Sequence, residues 1–322
     1  MRGPFRPARP ADSRPGWPGG STPNDDRSSA RAFSSCPCPD RPPLSRKRPP
    51  RQRPAPKPST NSMNRSRKAH FSSTSLRTSL ADGDTPSPHR RDSMITLRPA
   101  DERGHANLGW LDSHHSFSFA DYYDPRHMGV SQLRVINDDR VAPRSGFDAH
   151  PHRDMEIVTY MLEGTVEHKD SMGNSSRLRA GEVQVMSAGS GVVHSEYNPS
   201  ASEPLHLLQI WIQPRESRVP PRYAQKDFSN LRGLGLLVSP DGREGSLPIR
   251  QDACLYLARL DDRQRTSQPA RTGRTYYLHV ASGSLQVNGV SLAAGDGATL
   301  VDEPAIELEA RDKTEALLFD LP

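Results

Sequence analysis

Cysteine is scarce. The 322 residues include three cysteines: Cys36 and Cys38 as a C-P-C triplet, and Cys254 alone. No framework spacing is present, which argues against a disulfide-rich secreted fold. A C-x-C without a neighbouring histidine or second pair is also a weak metal signal. Long apolar runs are lacking too. No stretch reaches the roughly 18 residues of a membrane-spanning helix, so no membrane contact and a cytoplasmic setting are expected. Glutamate is missing altogether from residues 1–93. That segment holds 19 of the 43 Lys+Arg, 7 of the 38 acidic residues and 17 of the 31 prolines, a charge of about +12. The remainder has 24 basic against 31 acidic residues, about −7. The net charge of +5 is therefore a property of the first 93 residues, and the acidic remainder argues against direct binding of nucleic acid.

Residues 1–93 are rich in Arg, Pro, Ser and Ala with few large apolar side chains. Such a segment cannot bury enough surface to offset its chain entropy, and disorder is expected. Its Arg/Ser-rich, acid-poor make-up suits a transit peptide, but the proline load opposes the amphipathic helix that such peptides need. A basic arm for nucleic acid is a second reading, without the interleaved aromatics. The favoured expectation is an over-extended start, with the protein proper beginning at Met94. Patterned sequence starts there at once: "MITLRPADERGHANLGWLDSHHSFSFADYYDP".

After Met94, β-rich runs alternate with turn signals every 8–12 residues, as in a barrel or sandwich. Strands are expected at Leu133–Asn137, Met155–Leu162, Thr165–His168, Glu182–Met186 and Leu205–Ile212. Prolines around Val219–Arg222 suggest a linker with a short helical stretch. A second β-rich block follows, with a hairpin signal at Asn288-Gly289. "LEGTVEHKD…LRAGEVQVMSAG" and "ASGSLQVNG…LAAGDGATLVDE" share a Gly-[Thr/Ser]-apolar step, a hairpin and an Ala-Gly-acid turn. This is an internal repeat. The expectation is an all-β chain of two tandem barrels, 94–218 and 219–322, behind the 1–93 segment.

Two stretches of the first block carry paired ligands: His150 and His152 in "HPH", His194 and Glu196 in "HSE". Residues two apart point to one face of a strand but about 200° apart on a helix, and Pro151 disfavours a helix. Two strands can thus aim three imidazoles and a carboxylate at one point. A single H-x-H is usually an ordinary surface or core pair; two such pairs at strand spacing favour a metal. Nitrogen and oxygen ligands suit Fe, Ni, Cu, Zn or Mn. The remaining histidines read as ordinary: His114, His115 and His168 lack paired spacing, His206 and His279 lie in apolar strands and are expected to be satisfied core or wall residues, and His105 and His127 fall in loops.

Residues 146–164, "GFDAHPHRDMEIVTYMLEG", resemble the first cupin motif, and 181–198, "GEVQVMSAGSGVVHSEYN", the second. With "HSFSFADYYDP", they resemble a bacterial pirin-like protein of the quercetin 2,3-dioxygenase type, over essentially all of 94–322. The resemblance implies two cupin barrels, with His150, His152, His194 and Glu196 as ligands of one divalent transition metal. Iron comes first, with nickel, copper, zinc, manganese or cobalt also fitting. Many cupins use the glutamate of the first motif, here Glu156. Its spacing to Gly164 is one residue too long, and pirins take the acidic ligand from the second motif. Asn198 is expected to be structural. Counting back from Gly283 and Gly295 puts Pro269, Arg271, Leu308 and Ala310 at the ligand positions of the second barrel, which is then metal-free. The implied activity is ring-opening of flavonols such as quercetin by O2 with loss of carbon monoxide, Glu196 serving as base. A regulatory or redox-sensing protein with a protein partner is the competing class, and a cupin enzyme for another aromatic substrate is a third.

Overall fold

The computed structural model describes residues 94–322; the expectations for residues 1–93, including Cys36 and Cys38, lie outside the described residues. The first twelve strands are β1 (Met94–Arg98), β2 (Gly104–Asn107), β3 (Leu111–His115), β4 (Leu133–Val141), β5 (Gly146–His152), β6 (Glu156–Glu163), β7 (Thr165–Asp170), β8 (Ser175–Arg179), β9 (Glu182–Ser187), β10 (Val192–Tyr197), β11 (Leu205–Ile212) and β12 (Arg222–Asp227). Ten more follow: β13 (Gly233–Ser239), β14 (Leu247–Pro248), β15 (Cys254–Leu260), β16 (Arg265–Pro269), β17 (Thr275–Ser282), β18 (Ser284–Val287), β19 (Val290–Ala293), β20 (Gly297–Val301), β21 (Ala305–Ala310) and β22 (Thr314–Leu321). Strand, not helix, follows the Val219–Arg222 prolines. Among the described residues no helix is long and apolar enough to cross a membrane.

The strands form two barrels, each with a seven-stranded and a four-stranded sheet. The first has β12-β9-β6-β11-β4-β3-β2 over β5-β10-β7-β8; the second has β1-β20-β17-β22-β15-β13-β14 over β16-β21-β18-β19. The orders correspond, as the repeat implied, except at one edge, where β2 pairs antiparallel with β3 but β14 pairs parallel with β13. The division at 218/219 is not the one the sheets follow. β1 pairs antiparallel with β20 of the second barrel, and β12 with β9 of the first. Each barrel thus has an edge covered by a strand from beyond its own block, which satisfies backbone groups that an open edge would leave free.

Strand β6 shows how the core is divided. It is buried along Glu156–Met161, and its side chains alternate between two destinations, as a period of two requires. Val158 and Tyr160 enter a cluster shared with Leu255, Leu257, Tyr277 and Phe319 of the second barrel. Ile157 and Met161 point into the first barrel, in separate small clusters. Thr159 lies between them. The Arg259 guanidinium ties the barrels further, pairing with Glu315 at 2.7 Å and donating to the Tyr160 hydroxyl at 3.1 Å. The second barrel has one continuous apolar filling, including Leu278, Val280, Leu285, Val287 and Leu300. The first does not, because polar side chains run through its middle. Each large apolar side chain buried between the barrels contributes about 1.5–3 kcal/mol, which helps offset that polar interior.

Candidate metal centre

His150 on β5 lies directly opposite His194 on β10, and His152 lies opposite Val192. The ligand nitrogens of His150, His152 and His194 are all within 4.8 Å of one another. The close approach of the two strands depends on Gly146, where a Cβ would lie 2.2 Å from the Glu196 carbonyl oxygen. A bulge then shifts the register between His194 and Glu196, so that Phe147 stands opposite Glu196. Glu196 does not join the three histidines within the same radius. Its carboxylate groups with His194 and His168 instead. Paired spacing passes over His168; the available signal is that it shares a face of β7 with Val166 and Asp170.

The imidazoles are pre-aimed. His150 Nδ1 donates to the Asp148 carbonyl oxygen at 2.7 Å, leaving Nε2 as the ligand nitrogen. His194 Nδ1 lies 3.5 Å from His168 Nδ1, and His168 Nε2 lies 3.1 Å from Asp170 Oδ2. Asp170 accepts from the backbone N–H groups of Met172 and Asn174 and from the Asn174 amide. It is therefore an acceptor, and His168 gives it the Nε2 proton. His168 Nδ1 is then an acceptor for His194 Nδ1–H, which leaves the His194 Nε2 lone pair free. That buried Nε2 has no hydrogen-bond partner, a cost of about 1–3 kcal/mol that an ion would relieve. Burial, with the neighbouring histidines, pushes His152 down to about 4 and His194 down to about 3. Both are neutral near pH 7, as ligands must be. These groups fit a metal ion.

Glu196 reaches across the barrel to the seven-stranded sheet. There Gln184, Thr159, Gln209, Asn137 and His115 form one row across β9, β6, β11, β4 and β3, each opposite the next. The Gln184 amide donates to Glu196 Oε1 at 3.1 Å and the Gln209 amide to Oε2 at 2.8 Å. The amides are themselves oriented: Gln184 Oε1 accepts from the Tyr223 hydroxyl and Gln209 Oε1 from the Thr159 hydroxyl. Burial, then the charge of Asp139, raises Glu196 to about 7 against these donors. Asp139, also buried and hydrogen-bonded by Ser113, is likewise raised to about 7 by its burial.

A cavity of about 610 Å³ opens beside this cluster, with His150, His152 and Glu196 in its lining and aromatic walls from Phe119, Tyr122, Phe147 and Trp211. Ser113, His115, Asn137 and Asp139 give one side a polar character. Glu156 is elsewhere: its Oε2 accepts from Ser187 and from the Arg250 backbone N–H of the second half. Asn198 is bonded to the Val141 and Glu203 carbonyls. In the second barrel the register moves the counted positions. Glu196 stands opposite His168, four residues after Gly164; Leu308 stands opposite Val287, four after Gly283. The counterparts of His194 and Glu196 are thus Ile306 and Leu308, two residues earlier than counted, because the passage from β20 into β21 is shorter than that from β9 into β10. Gln268 faces Ile306 as His150 faces His194. Ile306 and Leu308 belong to the apolar filling and offer no ligand atom. His279 is buried with both ring nitrogens unpartnered, not a satisfied core residue, and His105 lies in β2, not in a loop.

Tandem double-sheet barrels, one carrying a histidine cluster at its cavity and the other filled with apolar side chains, define a bicupin. The Pirin family matches residues 96–212, and the quercetinase C-terminal cupin domain matches 236–321. Over 230 residues the chain is 56% identical to quercetin 2,3-dioxygenase of Escherichia coli K12, covering 71% of this chain and 99% of that protein. A pirin-like protein of Caulobacter vibrioides is 44% identical over 232 residues, covering 70% and 99%. The crystal structure of a bacterial pirin from E. coli in complex with nickel(II) superimposes with a TM-score of 0.69 at 53% identity, covering 71% of this chain and 99% of that one. The chain belongs to the pirin family.

Proposed function

We propose that this chain is a metal-dependent dioxygenase that opens the ring of flavonols such as quercetin with O2, and that His150, His152, His194 and Glu196 serve its metal ion. One observation carries the reading: three imidazoles cluster beside one aromatic-walled cavity, whose lining includes His150, His152 and the buried Glu196 carboxylate. Membership of a family whose E. coli relative bears the dioxygenase name supports the substrate class. The nickel(II) complex of the E. coli pirin supports a first-row divalent ion, and the nitrogen-rich donor set suits one. When bound, the ion supplies Lewis acidity that lowers the pKa of a coordinated hydroxyl.

The side chains of this protein do the rest. Glu196 takes the proton of the substrate hydroxyl. In the metal-free protein burial raises this carboxyl to about 7, the direction that strengthens a carboxylate as a base. Gln184 and Gln209 hold both carboxylate oxygens and fix where the proton is received. Phe119, Tyr122, Phe147 and Trp211 take the flat ring and exclude water, in a volume typical of small-molecule sites. Asn137 and Asp139 offer partners to ring hydroxyls. The test is elemental analysis of purified protein followed by oxygen uptake with quercetin. Tightly held metal and oxygen consumption with carbon monoxide release are expected. No oxygen uptake with any flavonol or any first-row ion would overturn the enzyme reading and leave the regulatory one.

A further inference from the structure

A second group of ligand atoms lies outside the centre described above. β2 is the edge strand of its sheet, and β3 is its neighbour. His105 on β2 stands directly opposite His114 on β3. Their rings stack with centroids 4.3 Å apart and planes 15° apart. Asp112 is two residues before His114, so it shares that face of β3. His105 Nε2 and Asp112 Oδ1 are 2.6 Å apart. One ligand atom from each of the three residues falls within a common radius of 4.8 Å. The other face of β3 is different: Leu111, Ser113 and His115 line the cavity.

We propose that His105, Asp112 and His114 form a second metal site, open to solvent, that takes a borderline divalent ion such as Zn²⁺ or Cu²⁺. The donor chemistry is two imidazole nitrogens and one carboxylate oxygen, the set that such ions favour. The backbone pre-organises it, because all three residues are held by the β2–β3 ladder and only side-chain torsions need to settle. A further carboxylate, Asp138 opposite His114, is engaged by His206 at 2.6 Å and Arg103 at 3.2 Å, so it does not compete for the histidines. The side chains of His105 and Asp112 are 50% and 41% exposed. Water therefore fills the remaining coordination positions, and binding is weaker than at a buried centre. His105 also lines the cavity, so an ion here would fasten the edge strand β2 to β3 at the rim of that cavity. This inference stands independently of the proposed reaction.

The test uses the full chain, reconstituted with nickel and then equilibrated with micromolar Zn²⁺ before total metal is counted. The wild type should hold one more ion per chain than His105→Ala/His114→Ala, which should keep its first-centre metal and its circular dichroism spectrum. His150→Ala/His194→Ala should lose the first ion and still gain the rim zinc. Asp112→Asn, the milder change, should weaken zinc binding at least several-fold without altering the fold. Equal total metal in the wild type and the His105/His114 variant would overturn the proposal. So would a zinc affinity that Asp112→Asn leaves unchanged.

Discussion

Glu196→Gln separates a ligand from a base, and the structure supplies the terms. Gln184 and Gln209 both point amide N–H groups at the Glu196 carboxylate, and their carbonyl oxygens are already taken by Tyr223 and Thr159. A glutamine at 196 presents one oxygen and one NH2, so a donor meets a donor on one side. One neighbouring amide must turn and lose its second bond, at a cost of about 1–3 kcal/mol. Against this, the substitution removes a buried carboxyl raised from 4.5 to about 7. Its ionisation in the fold costs on the order of 3 kcal/mol above pH 7. The two nearly cancel, so metal-free stability should change by only about 1–2 kcal/mol. Three imidazoles remain to hold the ion, as three-histidine sites do. Turnover should fall by about 10²–10⁴-fold, the usual loss on removing a general base. The assay is metal occupancy and quercetin turnover on the same preparations, with urea denaturation as the stability control. Wild-type turnover at full occupancy would refute the base role. Loss of the metal together with activity would mean that Glu196 acts as a required ligand.

His150→Ala or His194→Ala should lose the tightly held ion itself, read as metal per chain after purification; retention of the metal by both would remove them from the centre. Asp139→Asn should stabilise the metal-free protein at alkaline pH. The folded carboxyl keeps its proton to about 7 while the unfolded one releases it near 3.8, so wild-type stability falls as pH rises through that window. The variant should gain on the order of 2–4 kcal/mol at pH 8 and nothing at pH 4, measured by urea denaturation at both. Gly146→Ala places a Cβ 2.2 Å from the Glu196 carbonyl oxygen and 2.6 Å from the Tyr197 Cα. It should force β5 from β10, cost about 1–3 kcal/mol and speed loss of metal to a chelator; an unchanged release rate would show that the strand approach does not control the centre.

Much of this was legible in the chain itself. The spacing of His150, His152, His194 and Glu196 is a local property, and a strand's period of two turns it directly into shared faces. The repeated Gly-[Thr/Ser]-apolar steps made two barrels readable, and their strand orders match in all but the β2 and β14 edges. Cross-strand partners are another matter, because register depends on which strands meet and where a bulge falls. The shift between His194 and Glu196 grouped the carboxylate with His168 rather than with His150 and His152. The same register moved the second-barrel counterparts to Ile306 and Leu308. Gln184, Thr159 and Gln209 each read as one polar residue in an apolar strand; only the sheet aligns them into a clamp. The crossing of β1 and β12 between barrels, and the capture of Glu156 by Ser187 and Arg250, join residues far apart in sequence. The sequence by itself determined which chemistry was present and on which face of each strand it lay. Only the tertiary structure decided which of those groups met, because that follows from packing between distant segments, which no local pattern encodes.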